Sequence, residues 1–424
     1  MLYLVKFLCE DFGGNLFLPW YKLRKPSKAY YSSHIVIPNF VICDISKAEN
    51  RVLLYDERGQ MKDAEALTSL RMYFHLKDVE KDRLDNRDRP KFLFQVMDNC
   101  VGQNKSHVVF MFFTLLSLTL FPSGVALLYL VGEHSHLCND RVTGQCKRSL
   151  KGKDLFLPED FVSTINQTKG IDCELLSYTD PDRPMWTGFS TLFKKYFKDL
   201  PASNAPGGYT KHHFFEWKNG ILSVRDRVGG DVIYTHDYLK GVEDRSSVMD
   251  KLLAELLGPG KSLFDASISN IKLPRAPTRV LTDDKIASIG TIMNLIPQES
   301  RDYYPKLTKQ AKAIMKRHDE EKQLATAKSG KRVKVKSIVP TPGLLHGRLQ
   351  KVLASSVHLS SSKKLYGSLP SDVSSIKVAS MKRFLMIGPI GCSSSQIRMS
   401  EPKNTDGNVN LDELQQKNIE IGNS

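Results

Sequence analysis

The sequence has few cysteines, and their spacing matches no common cysteine site. Seven cysteines occur in 424 residues, and no two of them form a C-x-x-C pair. An odd number without a pattern is typical of reduced thiols in the cytosol or nucleus and argues against a disulfide-rich secreted protein. The apolar start, MLYLVKFLCEDFGG, also lacks the small-residue cleavage site of a signal peptide, so it predicts a strand.

Internal repeats are also missing, and the charge is unevenly distributed. Hydrophobic residues make up 41% of the chain, which supports a packed core and excludes wholesale disorder. The net charge is +15, and residues 321–424 alone hold 16 Lys and Arg against 7 Asp and Glu. A basic tail of this kind indicates a polyanionic partner or a nuclear address, and a solvated tail without a partner is the alternative.

The longest apolar stretch, HVVFMFFTLLSLTLFPSGVALLYLVG at 107–132, contains no Asp, Glu, Lys or Arg. Its hydropathy alone suggests a membrane-spanning helix, for which about 18 apolar residues is the usual criterion. However, the turn signal Pro122-Ser123-Gly124 divides it into pieces too short to cross a bilayer about 30 Å thick. We therefore predict a buried helix followed by a buried strand, with a membrane anchor as the alternative.

The first 155 residues predict elements in the order β-β-β-α-β-α-β-α. Strands are expected at 2–10, 34–45, 51–57, 92–97 and 125–131, and helices at 63–76, 105–120 and 137–150. This pattern indicates an α/β domain with a mixed sheet. Three meandering strands, a helix, and then strands alternating with helices are the succession of the ribonuclease H-like fold, in which strands one and four are neighbours.

Two further regions follow this core. Residues 156–322 predict an α+β extension, with helices at 160–166, 186–201, 248–257 and 283–296 and a strand-turn-strand at 209–226. Residues 323–424 predict a mostly disordered, Ser- and Lys-rich tail that contains the basic cluster KSGKRVKVK at 328–336. This cluster is the basis for a nuclear localisation.

A cluster of polar residues ends the predicted strand at 92–97. The stretch VMDNCVGQNKS, 96–106, places a carboxylate, amides and a lysine directly after an apolar run. Polar residues of these types are not needed in the core of a strand, but they are typical of a metal or phosphate site at the end of a strand. Phosphodiester cleavage develops negative charge that two Mg²⁺ or Mn²⁺ ions about 4 Å apart can stabilise, and such ions require oxygen ligands.

This motif also carries a family resemblance. DNCVGQNKS, together with GEHSHLCNDRVTGQCKRSL at 132–150, resembles a large transposon-derived family. Its members read D-N-C-x-G-Q-N-K-[NS] at one strand end and G-H-[ST]-x-x-x-x-D after the next strand. The likeness covers roughly residues 9–226 and, more weakly, 292–307. The family is similar to transposase cores of the ribonuclease H-like class, so the resemblance implies cleavage or joining of DNA with Mg²⁺ or Mn²⁺.

The resemblance and the strand ends together nominate the site residues. The predicted metal ligands are Asp11, Asp98 and Asp140, with His136 as a further catalytic residue. Residues expected to bind substrate or phosphate are Asn99, Gln103, Asn104, Lys105, His134, Arg141, Lys147 and Arg148. Each has a structural alternative: Asp98 could cap the next helix, Asp140 could be an exposed helix start, and the cations could be a solvated helix face. Zinc is disfavoured, because the spacing of His134, His136, Cys138 and Cys146 fits no common closed zinc site.

The chain departs from the family pattern in two respects. Glu133 stands where members usually carry Gly before the first His, with Gly132 one place earlier. The sequence also begins inside the first strand, without the preceding DNA-binding region common in the family, which suggests a truncated or domesticated copy. The leading function is a transposase-like enzyme, and the alternatives are an inactive nuclear DNA-binding or scaffold protein and a membrane protein anchored at 107–132. The expected partner is DNA, with a homo-oligomer left open, no membrane and no small-molecule cofactor.

Overall fold

The computed structural model places eleven strands and nine α-helices in the part of the chain that it describes, residues 5–22, 26–30, 32–100, 102–130, 137–199, 209–240 and 244–329. The strands are β1 (Val5–Phe12), β2 (Leu16–Leu18), β3 (Ile35–Ile37), β4 (Asn39–Asp44), β5 (Glu49–Tyr55), β6 (Phe92–Met97), β7 (Gly124–Tyr129), β8 (Ile171–Leu176), β9 (Phe214–Lys218), β10 (Ile221–Arg225) and β11 (Tyr234–Asp237). The helices are α1 (Ser27–Tyr30), α2 (Ala64–Leu84), α3 (His107–Leu118), α4 (Cys138–Leu150), α5 (Pro158–Ile165), α6 (Phe189–Tyr196), α7 (Arg245–Leu256), α8 (Asp283–Gly290) and α9 (Lys309–Ser329).

Nine of the strands form one mixed sheet in the order β11-β10-β9-β7-β6-β1-β4-β5-β8, and β2 pairs with β3 separately. Strands β1, β6 and β7 are parallel to one another, whereas β4 is antiparallel to both β1 and β5. The predicted α/β class with a mixed sheet is therefore confirmed. Strands β9 to β11, which belong to the predicted extension, continue the same sheet beyond β7.

Helices cover both faces of this sheet. On one face, Arg71 of α2 donates a hydrogen bond to Glu10 of β1. On the other face, the thiol of Cys9 donates to Asn139 of α4 at 3.2 Å. Because side chains alternate along a strand, Asp11 points to the same face as Cys9 and opposite to Glu10. The start of α4 therefore lies on the face to which Asp11 points.

The apolar segment forms a helix and a strand, as predicted. Helix α3 ends at Leu118, and β7 begins at Gly124 as an interior strand of the sheet. The ring of Phe110 packs against the rings of Phe215 and Trp217, with centroids 5.0 and 5.6 Å away. This packing explains why α3 is apolar almost all round. Among the described helices, none combines the length and apolar character that crossing a membrane requires.

Several boundaries differ from the predictions for physical reasons. Pro38 divides the expected strand 34–45 into β3 and β4, which pair with different partners. Helix α2 continues to Leu84, beyond its predicted end at residue 76, because Asp78 and Asp82 are buried against Lys6 of β1 and Lys47 of the turn after β4. Strand β8 was not predicted, and it extends the sheet parallel to β5.

The predicted domain boundaries and tail are only partly accessible in the structure. Helix α9 reaches Ser329, so the first residues of the region expected to be a tail, 323–329, are helical. Residues 330–424, with most of the basic cluster at 328–336, lie outside the described residues. The boundary near residue 155 and the disorder of the tail stay predictions.

Candidate functional site

Asp11 and Asp98 occupy neighbouring positions at the ends of two parallel strands. The register of β1 and β6 pairs Glu10 with Met97. Asp11 is the residue after Glu10, and Asp98 is the residue after Met97. Adjacent strands lie about 4.8 Å apart, so the same register step brings both aspartates to the same edge and face of the sheet. Their predicted position at adjacent strand ends is confirmed.

Asp140 reaches the same place from a helix. It lies in the first turn of α4, next to Asn139, which contacts Cys9 of β1. Burial is the largest of the causes that raise the pKa of the Asp11 carboxyl to about 7, and the charges of Asp98 and then Asp140 raise it further. The N–H of Phe12 opposes this shift. Asp98 and Asp140 thus both lie within electrostatic reach of Asp11.

Each carboxylate uses one oxygen to accept a backbone N–H. Asp11 and Asp98 each accept the N–H of the residue that follows, at 2.7 and 2.8 Å. Asp140 Oδ2 accepts the N–H of Leu137 at 2.8 Å and so caps its own helix. Within the described part of the chain, the second oxygen of each group receives no hydrogen bond, and none of the three is in an ion pair. One oxygen of each group therefore remains for an external ligand.

The donor set suits a hard divalent cation, but a closed site is not formed. Carboxylate oxygens are the ligands that Mg²⁺ and Mn²⁺ prefer. Across the residues that the structure describes, no group of three or more His, Cys, Asp or Glu side chains is arranged to hold a metal ion. His134 and His136 lie outside the described residues. The three aspartates have the right ligand chemistry for a divalent metal ion, but their side chains do not converge on one point in this structure.

The loop after β6 is held by its amides. Asn104 donates from Nδ2 to the carbonyl of Asp98 at 3.0 Å and accepts from Arg71 at 2.8 Å. Gln103 donates to the carbonyl of Lys62 at 2.8 Å. Asn99 differs, because its Oδ1 is buried and has no hydrogen-bond partner in the described structure. Gln103 and Asn104 thus fix the loop, and Asn99 keeps an acceptor beside Asp98.

Lys105 corrects the sequence-based assignment. Its side chain is 1% exposed, and Nζ donates to the carbonyls of Thr210 and His212 at 2.8 and 2.7 Å. Burial lowers the pKa of Lys105 to about 8. The amine ties this loop to the segment before β9, so it is a structural cation and does not reach a surface phosphate. The motif alone suggested that Lys105 binds phosphate. Its actual partners lie more than 100 residues away in sequence, so no local pattern indicates them.

The cations predicted on α4 lie on the surface of that helix. Arg141, Lys147 and Arg148 are exposed. A Cβ placed on Gly14 would lie 2.8 Å from Lys147 Nζ, so this amine sits over the loop that follows β1. No ion pair within the described residues involves these three side chains. They give α4 a positive surface, and Lys147 of this surface lies near Lys62, which the charge of Asp11 also reaches.

Lys62 is a site residue that the sequence reasoning missed. Its Nζ donates to the carbonyl of Gly13 at 3.0 Å. Burial lowers the pKa of Lys62, the charge of Asp11 raises it, and Lys147 lowers it. Lys62 therefore lies close to both of these charged groups. Strand β5 runs parallel to β1 and leaves the sheet at the same edge, and this topology is the signal that could have found Lys62.

Comparison with known families gives one match. The family described as a domain of unknown function, DUF7869, matches residues 37–213. This range covers β4 to β7, α4 and the motif around Asp98, but it begins after Asp11. No curated protein and no solved structure matches the chain.

Proposed function

We propose that this chain carries a ribonuclease H-like core derived from a DNA transposon, which cleaves or joins DNA phosphodiesters with Mg²⁺ or Mn²⁺. The five strands expected for that core lie side by side in the sheet, in the order β5-β4-β1-β6-β7. The first three alternate in direction, and the last two run parallel to β1. This arrangement supports the fold, because the proposed core requires strands one and four to be neighbours.

The observation that carries the proposal is the juxtaposition of three aspartates from separate elements. Asp11 and Asp98 lie one register step beyond a paired position of β1 and β6, and α4 brings Asp140 to the same face. These residues would hold the divalent ions. Such ions activate the attacking oxygen and stabilise the leaving oxygen in phosphodiester cleavage. The chain itself supplies the ligands, leaves one oxygen of each without a hydrogen bond from the described residues, and holds the loop after β6 in place.

Substrate binding is assigned to the positive face of α4 and to Asn99. Arg141, Lys147 and Arg148 are exposed on α4, and a DNA backbone that follows this helix would contact them. Asn99 adds an amide oxygen at the strand end that is buried and has no hydrogen-bond partner among the described residues. His134 and His136 keep their proposed roles at the scissile phosphate, although both fall outside the described residues. A nuclear localisation, from the cluster at 328–336, belongs to the same proposal.

The second candidate is a DNA-binding or scaffold protein that keeps this fold without cleaving DNA. Two observations favour it. Asp140 already serves as a helix cap, and the described residues contain no preassembled metal group. Loss of one ligand would abolish two-metal chemistry and leave the positive face of α4 intact. In this case the chain binds DNA in a salt-dependent way but does not nick it.

The test is a nicking assay on supercoiled plasmid with Mg²⁺ or Mn²⁺ and the purified full-length chain. We expect cleavage by the wild type and none by Asp98→Asn, which removes charge but little volume. Asp88→Asn is the matched control, because Asp88 is exposed before β6 at the opposite end of the same strand. Equal cleavage by all three proteins would contradict the site. DNA binding without cleavage in the wild type would select the second candidate.

A further inference from the structure

Three thiols meet on the face of the sheet that α4 covers. Cys9 of β1 and Cys43 of β4 are directly opposite each other in the antiparallel register. Cys138 is the first residue of α4, directly before Asn139, whose side chain contacts Cys9 at 3.2 Å. Its thiol lies near enough to affect the pKa values of both Cys43 and Cys9. All three are free cysteines, so the cluster stands in the reduced state.

The three thiols differ in their access to solvent. Cys9 and Cys43 are 0% and 3% exposed, whereas Cys138 is only partly buried. Cys9 is also engaged with Asn139, to which its thiol donates at 3.2 Å. Cys138 is therefore the thiol that a dissolved oxidant reaches first. Cys43, unlike Cys9, donates no hydrogen bond to Asn139.

We propose that Cys138 and Cys43 form a peroxide-sensitive disulfide, with Cys138 as the reacting thiol and Cys43 as the resolving thiol. In the first step, the sulfur of Cys138 attacks hydrogen peroxide. An S–O bond forms, the O–O bond breaks, and the products are a sulfenic acid and water. In the second step, the sulfur of Cys43 attacks that of Cys138. The S–S bond forms, the S–O bond breaks, and a second water leaves with the proton of the thiol.

The geometry favours disulfide formation over further oxidation. A sulfenic acid with a neighbouring thiol condenses with it, whereas an isolated one proceeds to the sulfinic acid. The product would join the first residue of α4 to β4, two residues from Asp140. This inference does not depend on the proposed nuclease, since it concerns only thiols and an oxidant of the peroxide class.

The chain provides matched controls for this chemistry. Cys100 is partly buried, like Cys138, and follows the end of β6. Cys146 and Cys173 are 4% and 2% exposed, and they lie near each other on the same side of the sheet as α4 and α5. They resemble the cluster in residue type and proximity, but neither thiol is open to solvent.

The experiment treats the full-length chain with one equivalent of hydrogen peroxide, alkylates the remaining thiols, and maps peptides without reduction. We expect the Cys43–Cys138 cross-linked peptide as the main product, reversed by dithiothreitol. Cys138→Ser should abolish it, and Cys100→Ser should leave it at the wild-type yield. Oxidation of Cys138 no faster than Cys100, a sulfinic acid without a cross-link, or a cross-link to Cys9 would overturn the assignment. The wild-type map alone decides this if a variant fails to fold.

Discussion

Glu10 and Asp11 are neighbours in β1, yet they lie in opposite electrostatic environments. Glu10 points toward α2, where it is 2% exposed and paired with Arg71, which is 1% exposed. On the same face, Lys6 pairs with Asp44 and Asp78, each at 2.7 Å. The acidic groups of this face, which we call the paired face, have cationic partners within hydrogen-bonding distance.

Asp11 points to the other face, together with Asp98 and Asp140. In the described structure these three carboxylates have no ion-pair partner, and their mutual repulsion adds to the effect of burial. Charges that are partly desolvated and close to like charges reduce stability, and such arrangements are typical of functional sites. The comparison separates carboxylates that are neutralised by nearby cations from carboxylates that we propose as ligands of a metal ion.

The largest expected effect comes from breaking the paired face. Glu10→Gln leaves Arg71 buried without its counter-charge, so we expect the free energy of unfolding to fall by about 3–5 kcal/mol. The measurement is urea denaturation followed by circular dichroism. Glu49→Gln is the matched control, because it breaks an exposed ion pair with Lys81 and should cost about 1 kcal/mol or less. Equal losses for both variants would contradict the distinction.

Lys105 should behave as part of the fold. Lys105→Ala removes the buried amine from the carbonyls of Thr210 and His212, and we expect a loss of about 2–4 kcal/mol in unfolding free energy. Lys91→Ala, at the exposed start of β6, should stay within about 0.5 kcal/mol of the wild type. Unchanged stability with weakened DNA binding in Lys105→Ala would instead restore the phosphate-binding assignment.

Replacing Asp11 should raise the free energy of unfolding, whereas replacing Glu10 or Lys105 should lower it. Because folding raises the pKa of its carboxyl from 3.8 to about 7, the folded state binds the proton more tightly than the unfolded state. This group therefore lowers stability as pH rises through that range. At pH 8, with a chelator present, we expect the free energy of unfolding of Asp11→Asn to exceed that of the wild type by on the order of 1–3 kcal/mol. Urea denaturation measures this difference. The difference should vanish below about pH 4, where both states of the wild type become protonated. A variant that is less stable at pH 8 would contradict this reading.

The smallest effect on stability is expected at the surface of α4. Lys147→Ala should leave the unfolding free energy within about 0.5 kcal/mol, because the amine is exposed and forms no ion pair with any residue that the structure describes. It should weaken DNA binding and reduce the dependence of log K on log salt by about one phosphate contact. Fluorescence anisotropy over a salt series measures both quantities. The same change in Lys91→Ala would show that only net charge matters.

Much of the fold could be predicted because its signals are local. Apolar runs and turn residues located β6, α3 and β7, and the strand-end motif placed Asp98. The sheet pairing then brought Asp11 beside it, as expected for adjacent parallel strands. Hydrophobic periodicity and turn chemistry therefore define the part of the site that the strands build.

What could not be predicted depends on partners distant in sequence. The predicted helix ended at residue 76, eight residues too early, because the lysine that neutralises Asp78 lies 72 residues earlier and gives no local signal. Lys105 looked like a phosphate ligand, because its two carbonyl partners lie more than 100 residues later. No local pattern encodes such contacts. Lys62 was missed for the same reason, because its partner Gly13 lies 49 residues earlier. Only the direction of β5 indicates that Lys62 lies near the site.

The most direct test of the central claim is the binding of Mn²⁺, followed by the free-ion signal in electron paramagnetic resonance. Asp11, Asp98 and Asp140 are proposed to hold the metal, so the wild type should bind Mn²⁺. Asp98→Asn should weaken binding by at least about tenfold while remaining folded. Asp88→Asn, at the opposite end of β6, should bind like the wild type. Equal affinities in all three proteins, or no binding by the wild type, would contradict the account of the unpaired carboxylates as a metal site.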